Sequence, residues 1–266
     1  MRSDLRARRV LGFSLLEMLV ALVLLSVLAG ATAPLALTHI RNQRLRTTLD
    51  RMTRVVVGMA GDPQRASHGY LGDMGALPAV LDDLNARGAA PFYAIDPNDG
   101  VGAGYNGPYV VQAGAAGAEF VDAWGTGFGY VAGTAQVTSA GPDRQFGTAD
   151  DLAMPGDAPV TSGSVTVNLT GVPNDGSPEC VLGEDDANVF VSRSVAGTRN
   201  ELQIAGPVGS GGPFVGTGLH NGLHGLRVTG QGDFAGASVR DVIEVRSGAV
   251  QRRVTLIQPT GLPAGC

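Results

Sequence analysis

Residues 12–37 read GFSLLEMLVALVLLSVLAGATAPLAL, a run that from Phe13 onward is almost wholly apolar and carries one acid, Glu17. About twenty apolar residues at 1.5 Å rise cross the hydrocarbon core of a bilayer, so 13–37 is long enough to span it. A carboxylate inside such a span costs several kcal/mol unless something pairs with it. Residues 1–12, MRSDLRARRVLG, hold four arginines. The positive-inside tendency keeps these cytoplasmic and sends everything after residue 37 across the inner membrane. The competing reading is an ordinary secretory signal cut near Ala31-Thr32-Ala33. The length of the run stands against it, and so does Glu17, for which a signal peptide has no use.

Outward from the span, Ile40, Leu45, Leu49, Met52, Val55 and Val56 recur at helical spacings, with Arg41, Arg44, Arg51 and Arg54 between them. This predicts an amphipathic helix continuing over 38–62, packed under a globular head through its apolar stripe. Pro34 lacks an N–H and is expected to kink or loosen the helix within the span. Residues 69–84, GYLGDMGALPAVLDDL, predict a turn and then a short helix starting near Pro78.

Composition bounds the partners. The chain has 266 residues, 40 glycines, 5% aromatic residues and no lysine. Such a body is rich in turns, and much of it is expected to be β. Losing residues 1–12 removes four of 19 basic residues and one of 24 acids, leaving 15 against 23, a net charge of −8. An acidic body repels phosphate backbones, and no aromatic residues interleave the arginines between Arg41 and Arg54, so no nucleic-acid partner is expected.

The residues Gly12-Phe13-Ser14-Leu15-Leu16-Glu17 resemble the prepilin processing motif of type IV pilin-like proteins. The resemblance implies that prepilin peptidase cuts after Gly12, that Phe13 becomes an N-methylated amino terminus, and that Glu17 becomes the fifth residue of the mature chain. It further implies that Glu17 pairs with the terminal amine of a neighbouring subunit, so that a buried charge is satisfied only on assembly. The implied partners are the peptidase, other copies of the chain, related pilin-like subunits and the inner membrane.

Gly107-Pro108-Tyr109, then Asp122-Ala123-Trp124-Gly125 and Phe128-Gly129-Tyr130, resemble the head of the major pseudopilin of type II secretion, with alanine in place of the family's proline in the tryptophan element. This similarity covers about 12–152. Residues 139–152, SAGPDRQFGTADDL, gather Asp143, Asp150 and Asp151 in one loop. Three carboxylates repel unless solvated or bound to a hard cation, and Ca²⁺ suits flexible carboxylates and carbonyls. The pseudopilin resemblance implies a calcium loop here, ligated by those three aspartates and by carbonyls near Ser139 and Ala140. A solvated acidic turn is the alternative.

Beyond Pro155, Gly156 and Pro159, which read as a linker, come SVTVNL (164–169), NVFVS (188–192), ELQIA (201–205), GLRV (225–228), VIEV (242–245) and QRRVTLI (251–257). Period-two patterning between turn clusters predicts an antiparallel β-sandwich. Cys180 and Cys266 are the only cysteines. In an oxidising compartment they are expected to form a disulfide, with two free thiols as the alternative. His220 and His224 lie in a glycine-rich stretch without a third metal ligand at suitable spacing. Glu184, Asp185 and Asp186 read as a solvated turn.

The expected fold is α+β. It comprises a leader (1–12), a transmembrane and assembly helix (13–37), its amphipathic continuation (38–62), a pseudopilin-like head with a small antiparallel sheet (63–154) and an all-β sandwich-like domain (155–266). The expected function is structural: a filament subunit of a type II secretion pseudopilus or a related pilus-like assembly. It is anchored in the inner membrane by a single pass, with its body periplasmic, and is assembled into a periplasmic or extracellular filament. The alternative is a minor or tip pilin whose β domain binds a surface or a secreted substrate. An enzyme is not expected, since no nucleophile elbow, His–Cys pair or catalytic metal cluster is present.

Overall fold

A computed structural model describes residues 14–62, 65, 67–111, 117–155, 161–206, 211–246 and 248–261, with no side chains at 28–35. Two compact units divide between Thr47 and Thr48. The first is made by helix α1 (Leu15–Ala60), whose final turns belong to the second. Ser14 precedes the helix. Its carbonyl accepts the Met18 N–H at 3.2 Å and its hydroxyl faces the Glu17 N–H at 3.4 Å, the arrangement that Ser-x-x-Glu favours at a helix start. Helical structure continues without a break through Pro34. The expected loosening is absent at the level of secondary structure, because a proline removes one donor and the turns on either side keep theirs.

In the second unit α1 buries Thr48, Met52, Val55 and Met59 completely, at spacings of four, three and four. The expected stripe began earlier, at Ile40 and Leu45. Those side chains are 46% and 37% exposed, so the covered part of the stripe starts at Thr48. Helix α2 (Gly69–Met74) follows, where a turn was expected. Tyr70, Leu71 and Met74 go into the core, and Gly75 ends the helix at φ 76°, its N–H returning to the Leu71 carbonyl. A 3-10 turn at Leu81–Leu84 replaces the helix expected from Pro78. The Asp83 carboxylate accepts the N–H groups of Ala79 and Val80 and fixes that turn's start.

The head is completed by a short pair, β1 (Ala94–Ile95) and β2 (Gly102–Ala103), and by an antiparallel sheet of β3 (Gly129–Tyr130), β4 (Val137–Ser139) and β5 (Leu152–Met154). One core cluster joins Met52, Val55 and Met59 of α1 to Tyr70, Leu84, Val110, Phe120 and Val137.

Among the described residues, eight strands make the sandwich. One sheet orders β10 (Phe214–His220), β6 (Ser162–Val172) and β13 (Gly248–Ile257), with β7 (Cys180–Val181) pairing to β6. The other orders β12 (Ser238–Val245), β11 (Gly222–Gly230), β8 (Ala187–Val195) and β9 (Thr198–Ile204). Alternate residues turn inward: Val165, Val167 and Leu169 from β6 meet Val189, Val191, Leu226, Val228 and Ile243. Each such fully buried aliphatic side chain contributes roughly 1.5–3 kcal/mol. The expected sandwich is present, but it is not wholly antiparallel. β13 runs parallel to β6 over its full length, because the chain passes from β12 in one sheet to β13 in the other. β10, which no expected segment covered, has glycines at 216 and 218 that interrupt its alternation.

Candidate functional site

From Leu15 to Val27 the α1 side chains are exposed on every side, with Leu15 at 85% and Leu22 at 65%. A helix that is apolar all round is built to be covered. Glu17 sits one turn in, and among the described residues its carboxylate has no ion-pair partner. Gly12 and Phe13, the expected cleavage pair, lie outside the described residues. Among the described residues no helix is long and apolar enough to cross a membrane. The apolar run whose side chains are described, Leu15–Val27, measures about 20 Å, and the expected span depended also on Phe13 and on 28–35.

In the head, the turn at Asp122-Ala123-Trp124-Gly125 is tied to α1. The Thr48 hydroxyl accepts the Ala123 N–H at 3.0 Å, and Arg51 donates to the Val121 carbonyl at 2.7 Å. Asp122 is 2% exposed. Its carboxylate accepts the N–H groups of Trp124 and Thr126 and the Ser139 hydroxyl, all within 2.9 Å. Of the arginines on this helix, Arg51 therefore serves structure, and Arg54 pairs with Asp50.

The acidic loop is exposed. Asp143 accepts the Gln145 N–H at 2.8 Å, Asp151 the Gly147 N–H at 2.7 Å, and Asp150 the Thr148 hydroxyl at 2.7 Å. That hydroxyl holds the Asp150 carboxyl below its ordinary range. None of the three carboxylates has an ion-pair partner among the described residues. Among those residues, no group of three His, Cys, Asp or Glu is placed to hold a metal ion.

Three arrangements were not anticipated from the sequence. The first is a clasp between the 96–101 loop and the sandwich. Arg199 on β9 reaches Asp96 at 3.2 Å and grips both oxygens of Asp99, which is 6% exposed, while its Nη2 donates to the Ser192 hydroxyl at 2.6 Å. A Cβ at Gly225 would stand 1.9 Å from the Asp99 carboxylate, so the bare backbone of β11 makes room for the pair.

The second is a buried histidine pair. His220 and His224, on β10 and β11, have ring centroids 4.6 Å apart. The His224 Nε2 meets the His220 carbonyl at 2.8 Å. His220 Nε2, His224 Nδ1 and Arg193 Nε are buried without a partner among the described residues. Burial, then the His224 ring, push His220 down to about 4, and burial lowers His224 too.

The third is a cleft of about 380 Å³ beside α1 and α2, lined by Ser67, His68, Asp73, Tyr93, Asn106 and Tyr109, among others. The Tyr109 hydroxyl donates to Asp73 at 2.9 Å and accepts the Asn106 N–H at 2.9 Å. Burial pushes Asp73 up to about 6, against the hydrogen bonds from Tyr109 and Asn106. Pro108 and Tyr109 of the Gly-Pro-Tyr element line this cleft.

The acidic turn at 184–186 is partly structural: Glu184 accepts the Gly206 N–H and Asp186 the Gly183 N–H. Cys180 starts β7, no free cysteine occurs among the described residues, and Cys266 lies outside them.

With this geometry in place, comparison with known families assigns residues 7–33 to the prokaryotic N-terminal methylation motif, the signal of type IV pilin-like proteins processed by prepilin peptidase. The match covers 7–14 and the first 19 of the 46 residues of α1. Comparison with curated proteins and with solved structures gives no match.

Proposed function

We propose that the chain is a filament subunit. On this reading it is cut after Gly12 and anchored in the inner membrane through the segment 13–37. It assembles with other copies or related subunits, with its body on the periplasmic side. The observation that carries this reading is the methylation motif lying on a helix whose apolar surface is exposed all round, with Glu17 unpaired among the described residues. Neighbouring helices and lipid would cover that surface, and the amine of Phe13 in an adjacent copy would neutralise Glu17. Replacing Gly12 with valine is expected to leave the leader attached, read as an unshortened mass of the membrane-extracted protein. Unchanged processing would overturn the reading.

Within that class we favour a pseudopilin of type II secretion. The support is the head, where Asp122 and Trp124 organise the turn against α1 and Tyr109 sits in the core wall. Calcium at Asp143, Asp150 and Asp151 belongs to the same proposal, supported by one exposed and two half-buried carboxylates with no cationic partner among the described residues. If the ion binds, a chelator lowers the melting temperature and added Ca²⁺ restores it; an unchanged melt removes calcium from the account. The other reading, a minor or tip subunit that binds a surface or secreted substrate, is favoured by apolar side chains on the outer sandwich face. Val172 and Ile257 are paired neighbours there and Val181 lies close by, exposed at 37%, 71% and 55%.

A further inference from the structure

We propose that the cleft lined by His68, Asp73, Tyr93 and Tyr109 binds an organic cation through a guanidinium or ammonium group. Asp73 is the reason. Its carboxylate is largely withdrawn from water, accepts hydrogen bonds from the Tyr109 hydroxyl and the Asn106 side chain, and has no ion-pair partner among the described residues. A carboxylate offers about four acceptor positions, so about half of its capacity is unused. A buried charge without a counter-charge is costly, and a cation relieves that cost where a neutral ligand does not.

The surroundings suit such a ligand. Tyr93 and Tyr109 supply aromatic rings in the same cleft, and the Tyr93 hydroxyl has no hydrogen-bond partner among the described residues. Cations are drawn to the faces of such rings. Burial lowers His68 more than the nearby Glu244 raises it, so its ring is uncharged at neutral pH and does not repel a cation. The site is also held in place beforehand. The Asp73 carbonyl accepts the Ser194 hydroxyl at 2.7 Å and the Gly104 N–H at 3.0 Å, which fixes the backbone that carries the carboxylate. Because Asp73 is raised to about 6, its charge is lost by protonation below that value, so binding should weaken as pH falls through it.

The test is calorimetric titration of the full mature chain in a non-ionic detergent with methylguanidinium, and with methylurea as its neutral isostere. Methylguanidinium is expected to bind at least tenfold more tightly. Asp73→Asn should remove that difference, and Tyr93→Leu, which breaks no hydrogen bond among the described residues, should weaken methylguanidinium about tenfold with an unchanged melting temperature. A blocked arginine peptide separates the sources: tighter binding than methylguanidinium points to a polypeptide side chain, weaker binding to a small free cation. Equal binding of the two isosteres, or affinity for methylguanidinium unchanged by both substitutions, overturns the proposal.

Discussion

His220 and Asp73 titrate in the same pH range with opposite effects on stability. Folded His220 is held near 4 and an unfolded histidine near 6.5, so between those values the unfolded chain binds the proton and stability falls on acidification. Its surroundings add positive charge: His224 on β11, Arg193 on β8, and His68 ahead of α2, itself 3.8 Å from Glu244 and close to Arg246. Asp73 is raised to about 6 from 3.8, so in that window the folded chain holds the extra proton and stability rises on acidification. Each effect is on the order of 3 kcal/mol, and the two largely offset. Asp73→Asn is therefore expected to make the fall in melting temperature from pH 6.5 to 4 steeper than in the wild type, and His220→Gln to make it shallower. Parallel pH profiles for all three proteins would contradict this account. Neither residue was legible as a buried titrating group. His220 stands in a glycine-rich stretch and Asp73 in a segment that read as a turn, because burial is set by contacts from distant parts of the chain.

The elements were legible where periodicity was clean. β6, β8 and β13 carry stretches that alternate, such as Val165–Leu169 and Val254–Ile257, and the end of α1 repeats at helical spacing. β10 has too many glycines to alternate, and the direction of β13 depends on which sheet its predecessor occupies, which no local pattern encodes. The same holds for the clasp, since Asp99 and Arg199 are 100 residues apart. Removing Arg199 leaves a nearly buried carboxylate uncompensated. Arg199→Met is expected to cost about 3 kcal/mol, the low end for a broken buried pair, because Arg199 keeps 24% of its side chain in solvent. Gly225→Ala, which drives a methyl into the same carboxylate, should cost about 1–3 kcal/mol. In chemical denaturation the double variant should lose less than the sum of the two, since both act through Asp99. Full additivity would mean that the clasp does not couple them.

At the scale of the molecule, the chain from Thr48 onward is one compact unit with two cores, and the clasp and the α2 contacts on β8 and β11 tie the expected head and sandwich together. The amino-terminal motif announced the class of protein because its signal is local: a glycine, an aromatic residue and an acid at fixed offsets ahead of an apolar run. A bond between Cys180 and Cys266, the pairing expected in an oxidising compartment, would close a loop of more than 80 residues and contribute on the order of 4 kcal/mol. Alkylation of the denatured, unreduced protein should add no mass if the bond forms, and reduction should lower the denaturation midpoint. Two added alkyl groups without reductant would disprove it.

The glycine beneath the clasp also has a consequence for descent. Asp99 and the Ser192 hydroxyl have room only while position 225 lacks a side chain, and glycine at 225 is required while either of them stands over it. The four positions therefore form one heritable unit. Among homologous sequences they should change together, and a lineage that lost both the acid in the 96–101 loop and the hydroxyl at 192 would be released to place a larger residue on β11 and to let the arginine drift.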